Sequence, residues 1–239
     1  MNLLVDIGNS SVKAVYASKG NFSPVYSCFN DNYFEFIYDL INDGKPNKIF
    51  ISSVRGFDVG EKVKLEEICD ELIVVDSKMD LPIKINYSTP NTLGSDRICA
   101  AVGASFFFPE MNVIIFDFGT ALTIDRLSVS GEFCGGNISP GMMTRIRALH
   151  DYTHMLPLID IPEKITEMGK STKEAVESGI ILGILFELEG YMNRNPDSVY
   201  IFSGGDAIYF AKRMKKSIFV IYNLVIMGLA RIADYHAKF

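Results

Sequence analysis

The sequence predicts an α/β protein built from two similar lobes, and three observations support this prediction. Short apolar segments alternate with segments of helical length along the chain, a pattern typical of mixed or parallel sheets covered by helices. The motif around Asp6 recurs around Asp117, roughly half the chain later. No Pro-rich, Ser-rich or charged linker separates the halves. We therefore predict closely packed lobes of residues 1–109 and 110–239.

The repeated motif predicts that each lobe opens with a β-hairpin. Residues 3–10 read L-L-V-D-I-G-N-S and residues 114–120 read I-I-F-D-F-G-T. In both, a short apolar run is followed by Asp, an apolar residue, Gly and a small polar residue. Alternating apolar residues then continue, with the period of a second strand. The turn of each hairpin is thus expected to carry the Asp and the Gly.

The other elements follow from periodicity and from breakers. Residues 95–108 are apolar on nearly every side and end at Pro109, which predicts a buried helix. The remaining predicted elements are an amphipathic segment at 33–41, a strand at 48–53, a helix at 61–72, a strand at 72–75, a strand at 132–139, helices at 142–150 and 173–193, and a strand at 198–202.

Composition excludes several classes of protein. Apolar residues make up 48% of the chain and charged residues 22%, which is typical of a globular protein and not of a disordered one. The net charge of −6 argues against a duplex nucleic-acid partner, since such proteins need a basic face. A nucleotide ligand remains compatible with this charge, because a few backbone N–H groups can hold it.

Apolar runs and cysteine spacing bear on the location of the protein. The longest apolar stretch, residues 218–230, is shorter than the roughly 20 residues of a spanning helix, and the N-terminal apolar run stops at Asp6. The four cysteines stand far apart without a C-x-x-C pair, which favours reduced thiols. We expect a cytoplasmic protein with no membrane association.

The octapeptide D-I-G-N-S-S-V-K, residues 6–13, is the first candidate for chemistry. A Gly between two strands lets backbone N–H groups approach an anion, and the hydroxyls and Lys13 could contact phosphate. Asp6 could hold Mg²⁺ directly or through water. An ordinary hairpin turn with a solvated Asp explains the octapeptide alone equally well. Its repetition in D-F-G-T strengthens the functional interpretation, because two such hairpins would line a cleft with phosphate donors.

Four further motifs have both a structural and a functional interpretation. Asp96 and Arg97 suit a helix N-terminus, or a general base beside a guanidinium that binds a carboxylate. S-G-G-D at 203–206 is a tight turn with a capping Asp206, or a ligand-approach site. C-G-G-N-I-S-P-G at 134–141 is a dense bend. His150 and His154 have zinc-ligand spacing, but the only other histidine is His236, so we expect no zinc site.

Taken in order, these motifs resemble type III pantothenate kinase, a member of the actin, hexokinase and sugar-kinase superfamily. The series is D-I-G-N-S-S-V-K, Y-x₆-G-S-D-R, D-F-G-T, G-G-N-I-S-P-G, S-T-K-E-A-V-E-S-G and S-G-G-D, and the likeness runs from residue 3 to about residue 230. The resemblance implies two ribonuclease-H-like (actin-like) lobes, each a mixed β-sheet with helices, and a cleft between them. This sequence departs from the family pattern mainly at Ser10, where Thr is common in the family, and at His154, where the family frequently has a small residue.

The resemblance also implies roles for individual residues. Asp96 corresponds to the catalytic base that takes the proton from the pantothenate hydroxyl, and Asp117 to the site of a monovalent cation, K⁺ or NH₄⁺. Asp6 lies near Mg²⁺. The ATP-binding positions are Asp6, Ile7, Gly8, Asn9, Ser10, Ser11, Val12, Lys13 and Thr120. The substrate-binding positions are Tyr87, Gly94, Ser95, Asp96, Arg97 and Thr172.

The implied activity is the ATP-dependent phosphorylation of pantothenate to 4'-phosphopantothenate, the first step of coenzyme A biosynthesis. ATP is the co-substrate, and the family works as a homodimer with a substrate pocket shared across the interface. We also hypothesise that Arg97 holds the pantothenate carboxylate by a bidentate pair. Two alternatives stay open: a kinase for another small hydroxyl compound, and a non-catalytic nucleotide-binding accessory regulator.

Overall fold

Strands and helices alternate along the chain as the hydrophobic pattern predicts. The structure is a computed structural model that describes residues 1–18, 20–29, 32–56 and 59–237. Its strands are β1 (Asn2–Ile7), β2 (Val12–Ser18), β3 (Asn21–Phe22), β4 (Tyr26–Cys28), β5 (Lys48–Ser53), β6 (Glu71–Val74), β7 (Lys84–Ile85), β8 (Val113–Phe118), β9 (Ala121–Leu127), β10 (Glu132–Pro140), β11 (Val199–Gly204) and β12 (Phe219–Val220). Its α-helices are α1 (Tyr33–Gly44), α2 (Val59–Glu66), α3 (Ser95–Phe107), α4 (Met142–Asp151), α5 (Thr172–Arg194), α6 (Ala207–Ala211) and α7 (Leu224–His236).

Both predicted hairpins are confirmed, and each continues into a sheet in the same way. In the first sheet, of order β3-β2-β1-β5-β6, β1 pairs antiparallel with β2 and parallel with β5. In the second, of order β12-β11-β8-β9-β10-β7, β8 lies between β9 and the parallel β11. The repeat seen in the sequence is therefore a repeat of hairpin plus parallel third strand.

One predicted helix is too long at its C-terminal end. The charged segment 61–72 was expected to be helical throughout, but α2 ends at Glu66. The amide of Ile68 bonds the carbonyl of Leu65 at 3.3 Å, a tight i to i−3 turn that closes the helix. Glu71 then starts β6, because the chain must extend to pair in parallel with β5.

The chain divides into two compact units that a single boundary does not describe. Unit 1 comprises residues 1–111, 125–135 and 223–239, and unit 2 comprises residues 112–124 and 136–222. The predicted boundary at 109/110 lies near the first crossing, but the chain returns to unit 1 twice. Among the described residues, no helix combines the length and the apolar character needed to cross a membrane.

Each unit has its own apolar core. In unit 1, the inward faces of β1, β2 and β5 pack against α1, with Leu3, Val5 and Ile41 fully buried or nearly so. In unit 2, aromatic rings of β8 and β11 pack against α5 and α6, and the rings of Phe118 and Phe210 stack with centroids 5.1 Å apart. These cores hold the ends of the central strands, where the candidate site residues lie.

Close contact between α3 and α7 explains why the C-terminal segment belongs to unit 1. Gly228 of α7 lies so close to Cys99 of α3 that a Cβ would overlap the Cys99 carbonyl oxygen. Gly103 of α3 also lies close to α7, because the carbonyl oxygen of Leu224 is 2.8 Å from where a Gly103 Cβ would be. The glycines thus allow two buried helices to pack backbone against backbone.

We expect Gly228→Ala to lower the free energy of unfolding by at least about 2 kcal/mol, because the overlapping atom is backbone and cannot move aside. Chemical denaturation followed by circular dichroism measures the change. Gly190→Ala is the matched control: position 190 lies in α5 with nothing near its Cβ, so Ala should stabilise by ~0.5–1 kcal/mol. Equal stability of Gly228→Ala and wild type would contradict the proposed packing.

Candidate active site

The turn of the first hairpin forms a tight loop at the end of β1. The amide of Gly8 donates to the carbonyl of Ser11 at 3.0 Å, which closes residues 8–11. Asp6 and Lys13 are directly opposed across the β1–β2 ladder. Arg55, in the loop after β5, donates from Nη2 to the carbonyl oxygen of Asn9. The loop therefore carries one carboxylate, two hydroxyls and two nearby cations, a set able to hold a phosphate chain.

The N-terminus of α3 is anchored to the end of β5 through Ser95. The buried Ser95 hydroxyl accepts from the amide of Ser53 at 2.8 Å and donates to its carbonyl at 3.1 Å. It also lies 3.2 Å from the Ser52 hydroxyl. Because β5 is the parallel neighbour of β1, these bonds place the first turn of α3 beside the strand that carries Asp6.

Asp96 lies in the first turn of α3 as a partly buried carboxyl. Its Oδ1 accepts from the backbone amide of Arg97 at 2.8 Å. Burial raises the pKa of Asp96 above its ordinary value, although the amide and the charge of Arg97 act in the opposite direction. A side chain at Gly94 would overlap Asp96 Oδ1 in its present position, so a larger residue there would displace this carboxyl. A carboxyl of raised pKa at an accessible helix end suits a general base.

Cys99 connects Asp96 with Asp6. Burial, together with the negative charges of Asp6 and Asp96, raises the pKa of the Cys99 thiol well above its ordinary value. The two carboxylates thus approach the same buried thiol, one from β1 and one from α3. The structure brings the predicted magnesium residue and the predicted base into one region of unit 1.

Arg97 is paired with Asp125, a residue that the sequence did not single out. Nε donates to the two Asp125 carboxylate oxygens at 2.9 and 3.2 Å, and Nη2 donates to Oδ1 at 2.5 Å. The guanidinium carbon lies 5.8 Å from the ring centre of Tyr87 and 5.5 Å from that of Phe133. Asp125 therefore occupies one bidentate edge of Arg97, and a pantothenate carboxylate would have to use the remaining N–H groups.

In unit 2, three glycine motifs meet at the D-F-G-T turn. The amide of Gly205 donates to the carbonyl of Phe118 at 2.9 Å, and Gly204, at φ 88°, allows no Cβ beside Asp117. The amide of Gly141 donates to the carbonyl of Thr120 at 3.0 Å. The S-G-G-D and S-P-G segments are therefore more than bends, since both pack on the turn that carries Asp117 and Thr120.

Asp206 occupies the N-cap position of α6, but its side chain makes no capping hydrogen bond. The prediction that Asp206 caps a helix is therefore right about its N-cap position and wrong about the capping hydrogen bond. Burial raises the pKa of the Asp206 carboxyl. The helix is short, and its first residues follow directly on the Gly204–Gly205 turn.

Thr172 lies at the N-terminus of α5, on the wall of an apolar cavity. The cavity has a volume of about 550 Å³ and is lined by α4 and α5, with Leu149 and Leu156 among its apolar residues. Thr144 lines the same cavity and donates to the carbonyl oxygen of Thr120 at 2.6 Å. Thr172 and the D-F-G-T turn are therefore connected through one side chain of α4.

The oxygen donors present suit hard cations better than zinc. Within the described residues, no group of three or more His, Cys, Asp or Glu side chains is arranged to hold a metal. Mg²⁺ in nucleotide sites commonly takes one or two carboxylates and completes its shell with phosphate oxygens and water. Asp6 fits such a role. Asp117 Oδ1 and the carbonyl oxygen of Phe118 both lie beside Gly204, and carboxylate and carbonyl oxygens are of the kind that a monovalent cation binds.

The predicted residues thus divide between the two units. Unit 1 holds residues 6–13, Tyr87 and residues 94–97, and unit 2 holds Asp117, Thr120 and Thr172. Sequence reasoning missed Asp125 and Arg55. Asp125 gave one weak signal, a carboxylate in a strand that has no other acidic residue, L-T-I-D-R-L, whereas nothing in the sequence connects Arg55 with Asn9.

Comparison with protein families and curated proteins gives consistent matches. The profile of the family described as type III pantothenate kinase matches residues 2–194. A type III pantothenate kinase of Cytophaga hutchinsonii is 38% identical over 242 residues, which cover 99% of this chain and 100% of the relative.

Solved structures confirm the actin-like α/β fold. A Campylobacter jejuni protein named as a candidate Baf family transcriptional activator aligns with a TM-score of 0.70 at 22% identity, over 99% of this chain and 100% of the other. MreB5 of Spiroplasma citri, solved bound to ADP, aligns with a TM-score of 0.56 at 12% identity, over 99% and 97%. At these identities the likeness concerns the fold alone.

The raised pKa of Asp96 predicts a pH-dependent stability cost. The folded protein holds this proton more tightly than the unfolded chain does, because burial disfavours the carboxylate. The contribution of Asp96 to the free energy of unfolding is therefore complete at pH values below the ordinary carboxyl pKa. It is lost as the pH rises through the pKa that Asp96 has in the folded protein. Asp96→Asn cannot ionise, so its unfolding free energy minus that of wild type should grow from acid to neutral pH and then level off.

Denaturant titrations at a series of pH values measure this difference. Asp39→Asn is the control, because Asp39 is exposed on α1 and reports the background effect of replacing a surface carboxyl. A difference for Asp96→Asn that stays constant across the pH range would show that burial does not tune this carboxyl.

Proposed function

The chain belongs to the type III pantothenate kinase family, and from this premise we propose that it transfers the γ-phosphoryl group of ATP to pantothenate, the first step of coenzyme A biosynthesis. The observation that carries the proposal is the position of Asp96. A partly buried carboxyl of raised pKa lies in the first turn of α3, in the same unit as the Gly8–Ser11 loop. An acceptor hydroxyl and a phosphate chain both find suitable partners there.

Asp96 acts as the general base. Phosphoryl transfer demands little covalent chemistry from a protein, but it requires an oriented acceptor hydroxyl and a group that receives its proton. Asp96 Oδ1 is oriented by the amide of Arg97 and by the absence of a side chain at Gly94. A pKa raised by burial improves the carboxylate as a proton acceptor near neutral pH.

The ATP phosphates bind at the residues of the two hairpin turns. In unit 1, the closed turn at 8–11 presents backbone amides and the hydroxyls of Ser10 and Ser11, and Lys13 adds a positive charge. In unit 2, Thr120 lies on the corresponding turn. Asp6 holds Mg²⁺ and Asp117 holds K⁺ or NH₄⁺, and these cations offset phosphate charge that a chain of net charge −6 would otherwise repel.

Pantothenate is bound by Tyr87, residues 94–97 and Thr172. In unit 1, the guanidinium carbon of Arg97 lies 5.8 Å from the centre of the Tyr87 ring. Thr172 lies in unit 2 on the cavity between α4 and α5. We propose, from the family resemblance, that this threonine serves the pocket of a second copy of the chain.

The surface of unit 2 supports a homodimer. Helix α5 buries Ile181 and Leu188 within its own unit, yet Phe186 on another side of the helix is 64% exposed. Ile138 and Met155 are also exposed apolar side chains of this unit. Apolar surface of this kind is typical of an interface between subunits.

None of the four cysteines, all of which are described, forms a disulfide, which agrees with a cytoplasmic location.

We expect wild-type protein with Mg²⁺ and K⁺ to transfer phosphate from ATP to pantothenate, and Asp96→Asn to lower kcat by a factor of about 10² to 10⁴, the usual contribution of a general base. Coupled detection of ADP, with identification of the phosphorylated product, measures both. Activity should fall when K⁺ is replaced by a large organic cation. Asp39→Asn is the surface control and should keep wild-type kcat.

Two results would contradict this assignment in different ways. A folded, ATP-binding wild type that leaves pantothenate unchanged would redirect the search to other hydroxyl compounds, or to a binding role without chemistry. Full activity of Asp96→Asn would retain the substrate but reject Asp96 as the base.

We expect Phe186→Asp to convert the dimer into monomers and to raise the KM for pantothenate by about tenfold or more, since a charge in an apolar interface costs several kcal/mol. Light scattering coupled to size exclusion gives the mass, and steady-state kinetics gives KM. Phe186→Leu keeps the apolar character and should remain dimeric. A monomeric wild type with full activity would rule out the shared pocket.

A further inference from the structure

Arg97 and Asp125 form a buried ion pair next to the proposed base. Their side chains are 6% and 1% exposed, and they are the two charged residues that rank as buried in the described part of the chain. Asp125 comes from β9 and Arg97 from the first turn of α3, and both belong to unit 1. Three N–H···O contacts of 2.5 to 3.2 Å join them.

The pair fixes the plane of the Arg97 guanidinium. Asp125 takes Nε and Nη2, while the rings of Tyr87 and Phe133 lie 5.8 and 5.5 Å from the guanidinium carbon. The two rings pack edge to face with centroids 5.9 Å apart. Burial opposes the positive charge, but the interaction with Asp125 outweighs it and raises the pKa of the guanidinium. Hydrogen bonds to Asp125 and ring contacts with Tyr87 and Phe133 thus hold the Arg97 side chain on separate sides.

Stability alone is a weak reason for such a pair. Removing two charges from water costs as much as their attraction returns, so apolar residues of similar volume would commonly stabilise a core at least as well. A guanidinium held in a fixed plane does supply something that apolar residues cannot, namely N–H donors of defined direction. Arg97 is adjacent to Asp96, and Cδ of Arg97 and Oδ1 of Asp96 both lie beside Gly94.

We propose that Asp125 is a positioning residue of the acceptor site, which holds Arg97, and with it the Tyr87 ring that packs against the guanidinium, in the orientation that binds pantothenate. This inference rests on the proposed function. Asp125 itself makes no contact with substrate in this scheme. It acts by occupying the Nε and Nη2 edge of Arg97, so that the other N–H groups keep one direction.

The test compares Asp125→Asn with wild type at saturating and limiting concentrations of each substrate. Asn keeps the shape of Asp but loses the charge-assisted bonds. The KM for pantothenate should rise about tenfold or more, the loss expected for a hydrogen bond to a charged group, while kcat and the KM for ATP change less than about twofold. Wild-type turnover of pantothenate, measured first, decides the proposed function separately.

Ile41→Ala is the matched control for lost stability. Ile41 is buried in α1 of the same unit, in a core cluster that contains neither Arg97 nor Tyr87. The variant should lose stability and keep the wild-type KM for pantothenate. An unchanged KM in Asp125→Asn, or an equal rise in the KM of both substrates, would overturn the positioning role and leave a purely structural pair.

A second variant covers the case in which Asp125→Asn does not fold. The double change Arg97→Met with Asp125→Leu removes both charges and leaves none buried alone, so it should fold. Its KM for pantothenate should rise at least as much as expected for Asp125→Asn. A folded double variant with wild-type KM for pantothenate would overturn the proposal.

Discussion

The attachment of the α3 N-terminus to the end of β5 is the interaction on which the candidate site of unit 1 depends. The Ser95 hydroxyl bonds both backbone groups of Ser53, so the helix starts at one fixed point beside the central strands. Asp96 and Arg97 are the next two residues of the helix, so the Ser95–Ser53 hydrogen bonds also determine where their backbone lies. Behind them, Gly103 and Gly228 let α7 press against the helix backbone, which leaves α3 little freedom to shift.

In unit 2, the turn that carries Asp117 is held in place by glycine contacts and backbone hydrogen bonds. The turn at Asp117–Thr120 is contacted by Gly141 and by the Gly204–Gly205 segment, where a Cβ on Gly141 or Gly204 would overlap backbone atoms. A turn held by neighbouring backbone can expose its own carboxylate and amides without side-chain support. The two hairpins therefore carry the same residue types, but one is braced by a serine-anchored helix and the other by glycine turns.

Much of the fold was predictable because it rests on local periodicity. The hairpins, the buried helix and the order of strands follow from apolar spacing and from breakers such as Pro109. The end of α2 was not predictable in this way, because the tight turn at Ile68 ends the helix where the chain must extend to pair β6 with β5. Asp125 was missed for a related reason. Alternation marks Leu122 and Ile124 as the buried face of β9, but the opposite face is covered as well.

By itself, the sequence determined the fold class, the repeated Asp-Gly hairpins and the family, since each resides in residues close together along the chain. The tertiary structure decided which distant residues share an environment. The negative charges of Asp6 and Asp96 both raise the pKa of the Cys99 thiol. Asp125 hydrogen-bonds Arg97, although the two residues are 28 positions apart in the chain. Burial sets the pKa of Asp96 and the pairing of Arg97, and burial is a property of how elements pack, which local spacing does not encode.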